Sequence, residues 1–174
     1  MSVVESANFS LTATDSQFTK ATDSVLDILV ENTGRVNSGG GMNSARKGLN
    51  GDVVIDGTTH TKYNIYPLEF KQKFVEGLKG EKGSPFENVN SPALFRAELD
   101  IKDKPRDTFL KLDKWTKGNV FVNGFNVGRY YNKGPQHTLY IPAPLLVTGK
   151  NDIYIFELHS AVDTIEFVDK PILG

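Results

Sequence analysis

The chain has 174 residues, no cysteine and a formal net charge of −1 at pH 7. Its length allows one domain or two small ones, whereas a (β/α)8 barrel needs about 250 residues. The near-neutral charge, without a basic cluster, argues against nucleic acid as a partner. No apolar run is long enough to span a bilayer, no signal-peptide pattern stands at the start, and the lack of cysteine excludes disulfides and thiolate metal sites.

Residues 1–66 carry short strand patterns separated by glycine and polar turns. Residues 9–11 alternate in polarity and predict one weak strand. The stronger pattern is residues 25–31 (VLDILVE), in which one set of alternate side chains is wholly apolar. We interpret Arg35, in the loop that follows, as an ion-pair partner of a carboxylate. Asp56-Gly57 tolerates the positive φ angles of a tight turn and predicts a hairpin.

A single helix is predicted, over residues 67–80 (PLEFKQKFVEGLKG). One face of this helix would carry Leu68, Lys71, Val75 and Leu78, with Phe74 nearby. Lys73, Glu76 and Lys79 would lie outside that face. Residues 80–92 are rich in glycine, proline and polar side chains, which predicts a linker or long loop.

Residues 93–174 alternate short strand patterns with turn residues. The predicted strands are 93–101, 108–112, a hairpin over 120–127 that turns at Asn123-Gly124, 138–141 and 152–158. Asn-Gly between two apolar runs favours a type I′ turn.

Several short strands spaced by turn residues are typical of a β-sandwich or jelly roll. The sequence therefore predicts an all-β fold with one short helix. Residues 1–80 are expected to form strands of a partial β-domain plus the helix, and residues 81–174 a jelly-roll-like sandwich. The alternative, in which residues 1–80 complete a single sandwich with 81–174, stays open.

Three stretches resemble one enzyme family, in the same order along the chain. The first is LDILVENTGRVN (26–37), followed by RKGL (46–49) and IYPLEF (65–70). The second is WTKG..FVNGFNVGRYY..GPQ.TLYIP (115–142), and the third is the closing VDTIEFVDKPILG (162–174). Together they resemble the C-terminal region of glycoside hydrolase family 35 β-galactosidases, and the closing stretch resembles the ending of the animal, lysosomal-type members.

The resemblance implies a β-rich, galactose-binding-like accessory part of such an enzyme. In the family this part follows a (β/α)8 barrel that holds the catalytic carboxylates, so the barrel is the expected partner. The resemblance also implies a lysosomal or extracellular location and galactosides as candidate ligands. We expect a domain that braces the barrel. The alternatives are an independent, lectin-like carbohydrate-binding module, and a chain that forms an active enzyme with a separate catalytic polypeptide.

No catalytic residue, cofactor or metal is expected in this chain. Glycoside hydrolysis needs two carboxylates about 5–10 Å apart, and no acidic residue here lies in a motif of that kind. Glu157 is expected to be semi-buried and to bind Arg129 or a backbone amide. The histidines, His60, His137 and His159, lack the spacing of metal ligands.

Carbohydrate binding would combine an aromatic face with planar polar side chains. The residue types that fit are Trp115, Asn123, Asn126, Arg129, Tyr131 and Gln136. The competing interpretation is that Trp115 and the tyrosines belong to the core or to an interface between domains, and that Asn123 serves the turn. The sequence alone leaves both interpretations open.

Overall fold

The structure, a computed structural model, describes residues 25–32, 34 and 36–174. The chain divides into two compact units, Met1–Tyr66 and Pro67–Gly174. The strand predicted over residues 9–11 and the ion pair predicted for Arg35 lie outside the described residues.

The first unit contains a two-stranded antiparallel hairpin. Strand β1 is Val53–Ile55 and strand β2 is Thr58–His60. The connecting residues Asp56 and Gly57 have φ angles of 49° and 76°, so both occupy the left-handed region that this turn requires. The predicted turn is confirmed.

The strand predicted over residues 25–31 is wrong. No regular secondary structure occurs in residues 25–32, and Val25 and Leu29 are 81% and 47% exposed. A strand is held by hydrogen bonds to a neighbouring strand, so an alternating pattern does not suffice. No strand pairs with this segment within the part of the chain that is described.

The second unit is built from two antiparallel sheets. The four-stranded sheet has the order β3 (Ala93–Ile101), β8 (Gly149–Glu157), β5 (Lys117–Val122) and β6 (Phe125–Tyr131). The three-stranded sheet has the order β7 (Thr138–Ile141), β4 (Thr108–Lys111) and β9 (Glu166–Val168). This arrangement confirms the predicted all-β sandwich, and the bounds of β3 and β7 match the prediction.

The hairpin of β5 and β6 turns at the predicted dipeptide. Asn123 and Gly124 have φ angles of 48° and 85°, as a type I′ turn requires. A β-bulge between Val120 and Phe121 shifts the register. It changes which side chains of β6 lie on each face of the sheet.

The main core lies between the two sheets. Alternate side chains of each sheet point inwards, because successive residues of a strand face opposite sides. The buried residues are Leu110, Leu139 and Ile141 from the three-stranded sheet and Val120, Val122, Ile153 and Ile155 from the four-stranded sheet. Burying each such side chain stabilises the fold by about 1.5–3 kcal/mol.

A second, smaller core lies on the outer face of the four-stranded sheet. Helix α1 (Gln72–Gly77), which continues into a 3-10 turn, places Val75 against Phe121 and Tyr154. The helix is shorter than the predicted residues 67–80. Phe70 has a φ of 44°, which a right-handed helix cannot include, so the helix begins beyond it.

Strand β3 forms one edge of the four-stranded sheet and alternates half-buried with exposed residues. Phe95, Leu99 and Ile101 pack against the main core. Leu94 lies on the opposite, outer face of the strand and is 38% exposed. It therefore does not share the apolar face of Leu99 and Ile101.

Candidate functional site

Trp115 lies in the main core and does not present a face for a sugar. It is 3% exposed, and its ring meets the ring of Phe95 edge-on, at 5.2 Å between centroids. Its indole Nε1 donates a hydrogen bond to the carbonyl oxygen of Thr164 at 2.9 Å. The structure therefore places Trp115 where the packing interpretation expects it.

Asn123 and Gln136 are occupied by backbone groups. Asn123 Nδ2 donates to the carbonyl oxygen of Leu145 at 2.8 Å, and its Oδ1 accepts from the backbone N–H of Asp152 at 3.0 Å. Gln136 Nε2 donates to the carbonyl oxygen of Thr138 at 2.7 Å. The Asn123 side chain thus ties the hairpin turn to β8.

The remaining three candidates share the outer face of β6. Asn126 pairs across the strands with Phe121, which packs under helix α1, so Asn126 lies on the same outer face. Arg129 follows on that face, and both side chains are exposed. Tyr131 is half-buried, and its ring centroid lies 5.4 Å from the Lys117 ammonium, a cation–π distance. The structure thus brings together three of the six candidates.

Glu157 is a fully buried carboxylate that four donors occupy. Its oxygens accept hydrogen bonds from the backbone N–H groups of Thr116 (2.9 Å), Lys117 (3.1 Å) and His159 (2.8 Å). The hydroxyl of Tyr130 donates a fourth bond at 2.7 Å. Burial, reinforced by this bond to the carboxylate, raises the pKa of Tyr130. The predicted structural role beside a backbone amide is confirmed, whereas the side chain is fully buried and not half-buried as predicted.

An exposed apolar surface on the outer face was not predicted. We define the outer apolar surface as Phe70, Phe74, Leu94 and Phe156. The ring of Phe70 lies 5.7 Å from that of Phe74 and 4.9 Å from that of Phe156, and Phe156 pairs with Leu94 across the strands. Phe74 is 53% exposed and Leu94 is 38% exposed.

An ion-pair cluster lies on the same face of the sheet. Asp152 binds Lys79 at 3.0 Å and Arg96 at 2.6 Å. Burial acts to raise the pKa of Asp152, but the bonds from Arg96 and Lys79 outweigh it and hold this pKa below its usual value. The cluster fastens the 3-10 turn after α1 to β8.

Within the described ranges, 25–32, 34 and 36–174, no group of three or more histidine or acidic side chains could hold a metal ion. In the same ranges, no helix has the length and apolar character needed to cross a membrane.

Two sequence families match the chain. Residues 3–69 match the family described as "Beta-galactosidase, first all-beta domain". Residues 92–151 match the family described as "Beta-galactosidase, galactose-binding domain". The second match includes β3 to β7, which hold most of the main core and the candidates on β6.

Curated relatives agree with these matches. Human beta-galactosidase-1-like protein 2 is 44% identical over 86% of this chain, and human beta-galactosidase-1-like protein 3 is 40% identical over 85%. The dog beta-galactosidase is 37% identical, again over 86% of this chain. The chain spans about a quarter of these relatives, 24%, 23% and 26% of their lengths. The chain therefore carries two of the accessory β-domain regions of β-galactosidases, and it is similar to the animal members of glycoside hydrolase family 35.

Proposed function

We propose that this chain braces the catalytic (β/α)8 barrel of a β-galactosidase and performs no catalysis itself. The observation that carries the proposal is the outer apolar surface. Phe74 and Leu94 expose large apolar side chains beside the half-buried rings of Phe70 and Phe156. Contiguous apolar patches of this kind mark surfaces that bind another protein.

The position of the surface fits a rigid contact. Helix α1 is anchored beneath it by Val75, and the Asp152 ion pairs hold the turn that follows the helix. Phe70 touches both the helix ring Phe74 and the sheet ring Phe156, so the surface cannot move independently of the sandwich. A partner seated here would be held by the whole fold.

The occupant is the part of a β-galactosidase that lies outside the matching segment. The relatives are about four times longer than the matched region, since that region is 24% of human beta-galactosidase-1-like protein 2. The buried acid Glu157 is already saturated by four donors, so it is not a candidate for acid–base work. The proposal places the catalytic carboxylates in the partner. The same family resemblance supports a lysosomal or extracellular location, which fractionation of the source cells tests.

The test measures binding to the remaining part of human beta-galactosidase-1-like protein 2, produced separately. The wild-type chain is expected to bind it and to raise its melting temperature. The double variant Phe74→Ser/Leu94→Ser is expected to bind at least about tenfold more weakly, because it removes the two exposed apolar anchors. Val147→Ser is the matched control, since Val147 is 53% exposed, like Phe74, but belongs to the turn before β8. Equal binding by the double variant and the control would refute the bracing proposal.

Carbohydrate binding is the second candidate, and the shared outer face of Asn126, Arg129 and Tyr131 supports it. Galactose and lactose are titrated against the chain, with binding followed by calorimetry. A saturable heat that Arg129→Ala abolishes would establish a sugar site on β6. A flat titration to about 10 mM excludes a binding free energy stronger than roughly −3 kcal/mol, and bracing then remains as the proposed function.

A further inference from the structure

Within the residues that the structure describes, no strand pairs with the outer edge of β3. Asn151 Nδ2, on β8, donates to the carbonyl oxygen of Leu99, so this carbonyl points towards β8. In an antiparallel ladder alternate residues face the neighbouring strand. The N–H and C=O groups of Leu94, Arg96, Glu98 and Asp100 therefore point away from the sheet. Across the described ranges, no backbone hydrogen bond reaches these outward groups.

The side chains along this edge are charged in a self-complementary order. Arg96, Glu98 and Asp100 lie exposed on the outer face, while Ala97 faces the core side. Charged side chains, lysine above all, ordinarily keep sheet edges from pairing. The β3 edge, however, carries a cation and two acids, at positions that complement one another when the strand is turned through 180°.

We propose that β3 pairs with β3 of a second copy of this chain, antiparallel about a twofold axis through Ala97. This register sets Arg96 of one copy opposite Glu98 of the other, twice. It also sets Leu94 opposite Asp100, and Phe95 opposite Leu99 on the core side. The outward groups of both strands then satisfy one another, and the two four-stranded sheets become one continuous sheet.

The charges favour this register over the two registers that are shifted from it by two residues. The outward backbone groups of the two strands can also pair in a shifted register, but only if one strand moves by two residues, because alternate residues face outwards. One shift sets Arg96 opposite Arg96, and the other sets Glu98 opposite Glu98, and like charges directly opposite are destabilising. In the proposed register every directly opposed charge meets either an opposite charge or an apolar residue.

The present neighbours of Glu98 also favour pairing of β3 with a second copy. On β8 the residue directly across from Glu98 is Asp152, another acid, and its cation Lys150 reaches it only diagonally, at 2.8 Å. Arg96 of the second copy, which binds its own Asp152 through Nε and Nη2, would place a cation directly across from Glu98 on its free side. The interface is isologous, so each copy contributes the same strand and the assembly closes as a dimer.

The first test is sedimentation equilibrium of the full chain over a range of concentrations. A concentration-dependent dimer is expected. Arg96→Glu and Glu98→Arg are each expected to weaken it at least about tenfold, because each sets like charges opposite. The double reversal Arg96→Glu/Glu98→Arg is expected to restore it. Lys73→Glu, an equal change of charge on exposed helix α1, is the control and should leave the dimer intact.

The second test fixes the register with a thiol. The chain has no cysteine, so Ala97→Cys introduces a single thiol that lies on the twofold axis, at a non-hydrogen-bonded pair where a disulfide fits. A mild thiol oxidant is expected to convert this variant to a covalent dimer. Leu99→Cys, whose thiol faces Phe95 of the other copy, should form no disulfide. The proposal fails if the wild type is monomeric at every concentration, or if Leu99→Cys crosslinks as fast as Ala97→Cys. Thermal unfolding confirms that each variant is folded.

Discussion

Replacing Glu157 with glutamine is expected to lower the free energy of unfolding by about 2–4 kcal/mol. The carboxylate is 0% exposed, and both of its oxygens accept hydrogen bonds. A glutamine of the same shape has one acceptor oxygen and an NH2 group, which cannot accept a bond from an N–H. If the NH2 replaces Oε1, it faces the N–H of His159, which then loses its bond of 2.8 Å.

The magnitude follows from these groups. One buried donor left unpaired costs about 1–3 kcal/mol. The bonds that remain, from Thr116, Lys117 and Tyr130, lose the charge of the acceptor and weaken, which adds about 1 kcal/mol. Glu157 lies where β5, β6 and β8 meet, so the change acts on three strands.

The assay is urea unfolding followed by the fluorescence of Trp115, the single tryptophan, which lies in the main core. Tyr130→Phe is the matched control, because it removes one donor and leaves the carboxylate with its backbone bonds. This control is expected to cost about 1–2 kcal/mol. A Glu157→Gln variant within about 0.5 kcal/mol of the wild type, the range of ordinary surface substitutions, would refute the reasoning. So would a control that costs as much as Glu157→Gln.

Two further substitutions test the outer face and the hairpin turn. Asp152→Asn is expected to destabilise the chain at pH 7. Because the folded state lowers the pKa of Asp152 through Arg96 and Lys79, against the effect of burial, this stability is full above the unfolded pKa of about 3.9 and is lost as the pH falls through the folded pKa. Urea titrations of wild type and variant should therefore converge towards pH 2, and a constant gap would contradict the assignment. Gly124→Ala is expected to cost about 1–3 kcal/mol, since φ is +85° and the new Cβ would lie 2.8 Å from Cγ of Glu76. An unchanged melting temperature would count against it.

Turn chemistry is what the sequence predicts best in this chain. Asp56-Gly57 and Asn123-Gly124 both form the predicted turns, because a preference for positive φ belongs to the dipeptide itself. The strand predicted at residues 25–31 fails for the opposite reason. Its alternation is real, but pairing depends on a neighbour that the pattern does not specify. The predicted helix is cut short by the left-handed backbone at Phe70, which no periodicity indicates.

The candidate site shows the same contrast between what a local sequence determines and what depends on distant parts of the chain. Tryptophan serves equally as a core residue and as a sugar platform, so its residue type could not place Trp115. Its burial depends on Phe95 and Thr164, which come from distant parts of the chain. The outer apolar surface was missed because Leu94 and Phe156 become neighbours only when β3 pairs with β8. The spacing of Phe70 and Phe74 was the one local signal.

The four-stranded sheet has a core on each of its faces, so its central strands are more fully buried than its edge strands. In β5, Val120, Phe121 and Val122 are all 0% exposed. Phe121 packs under helix α1, whereas Val120 and Val122 pack between the two sheets. Strand β3 has an outer face that is only partly covered. Saturation mutagenesis should therefore find intolerance to polar residues at consecutive positions of β5, and at every second position of β3. As far as folding alone is concerned, substitutions can therefore accumulate on the outer side of the edge strand, whereas the centre of the sheet has no face on which they are neutral.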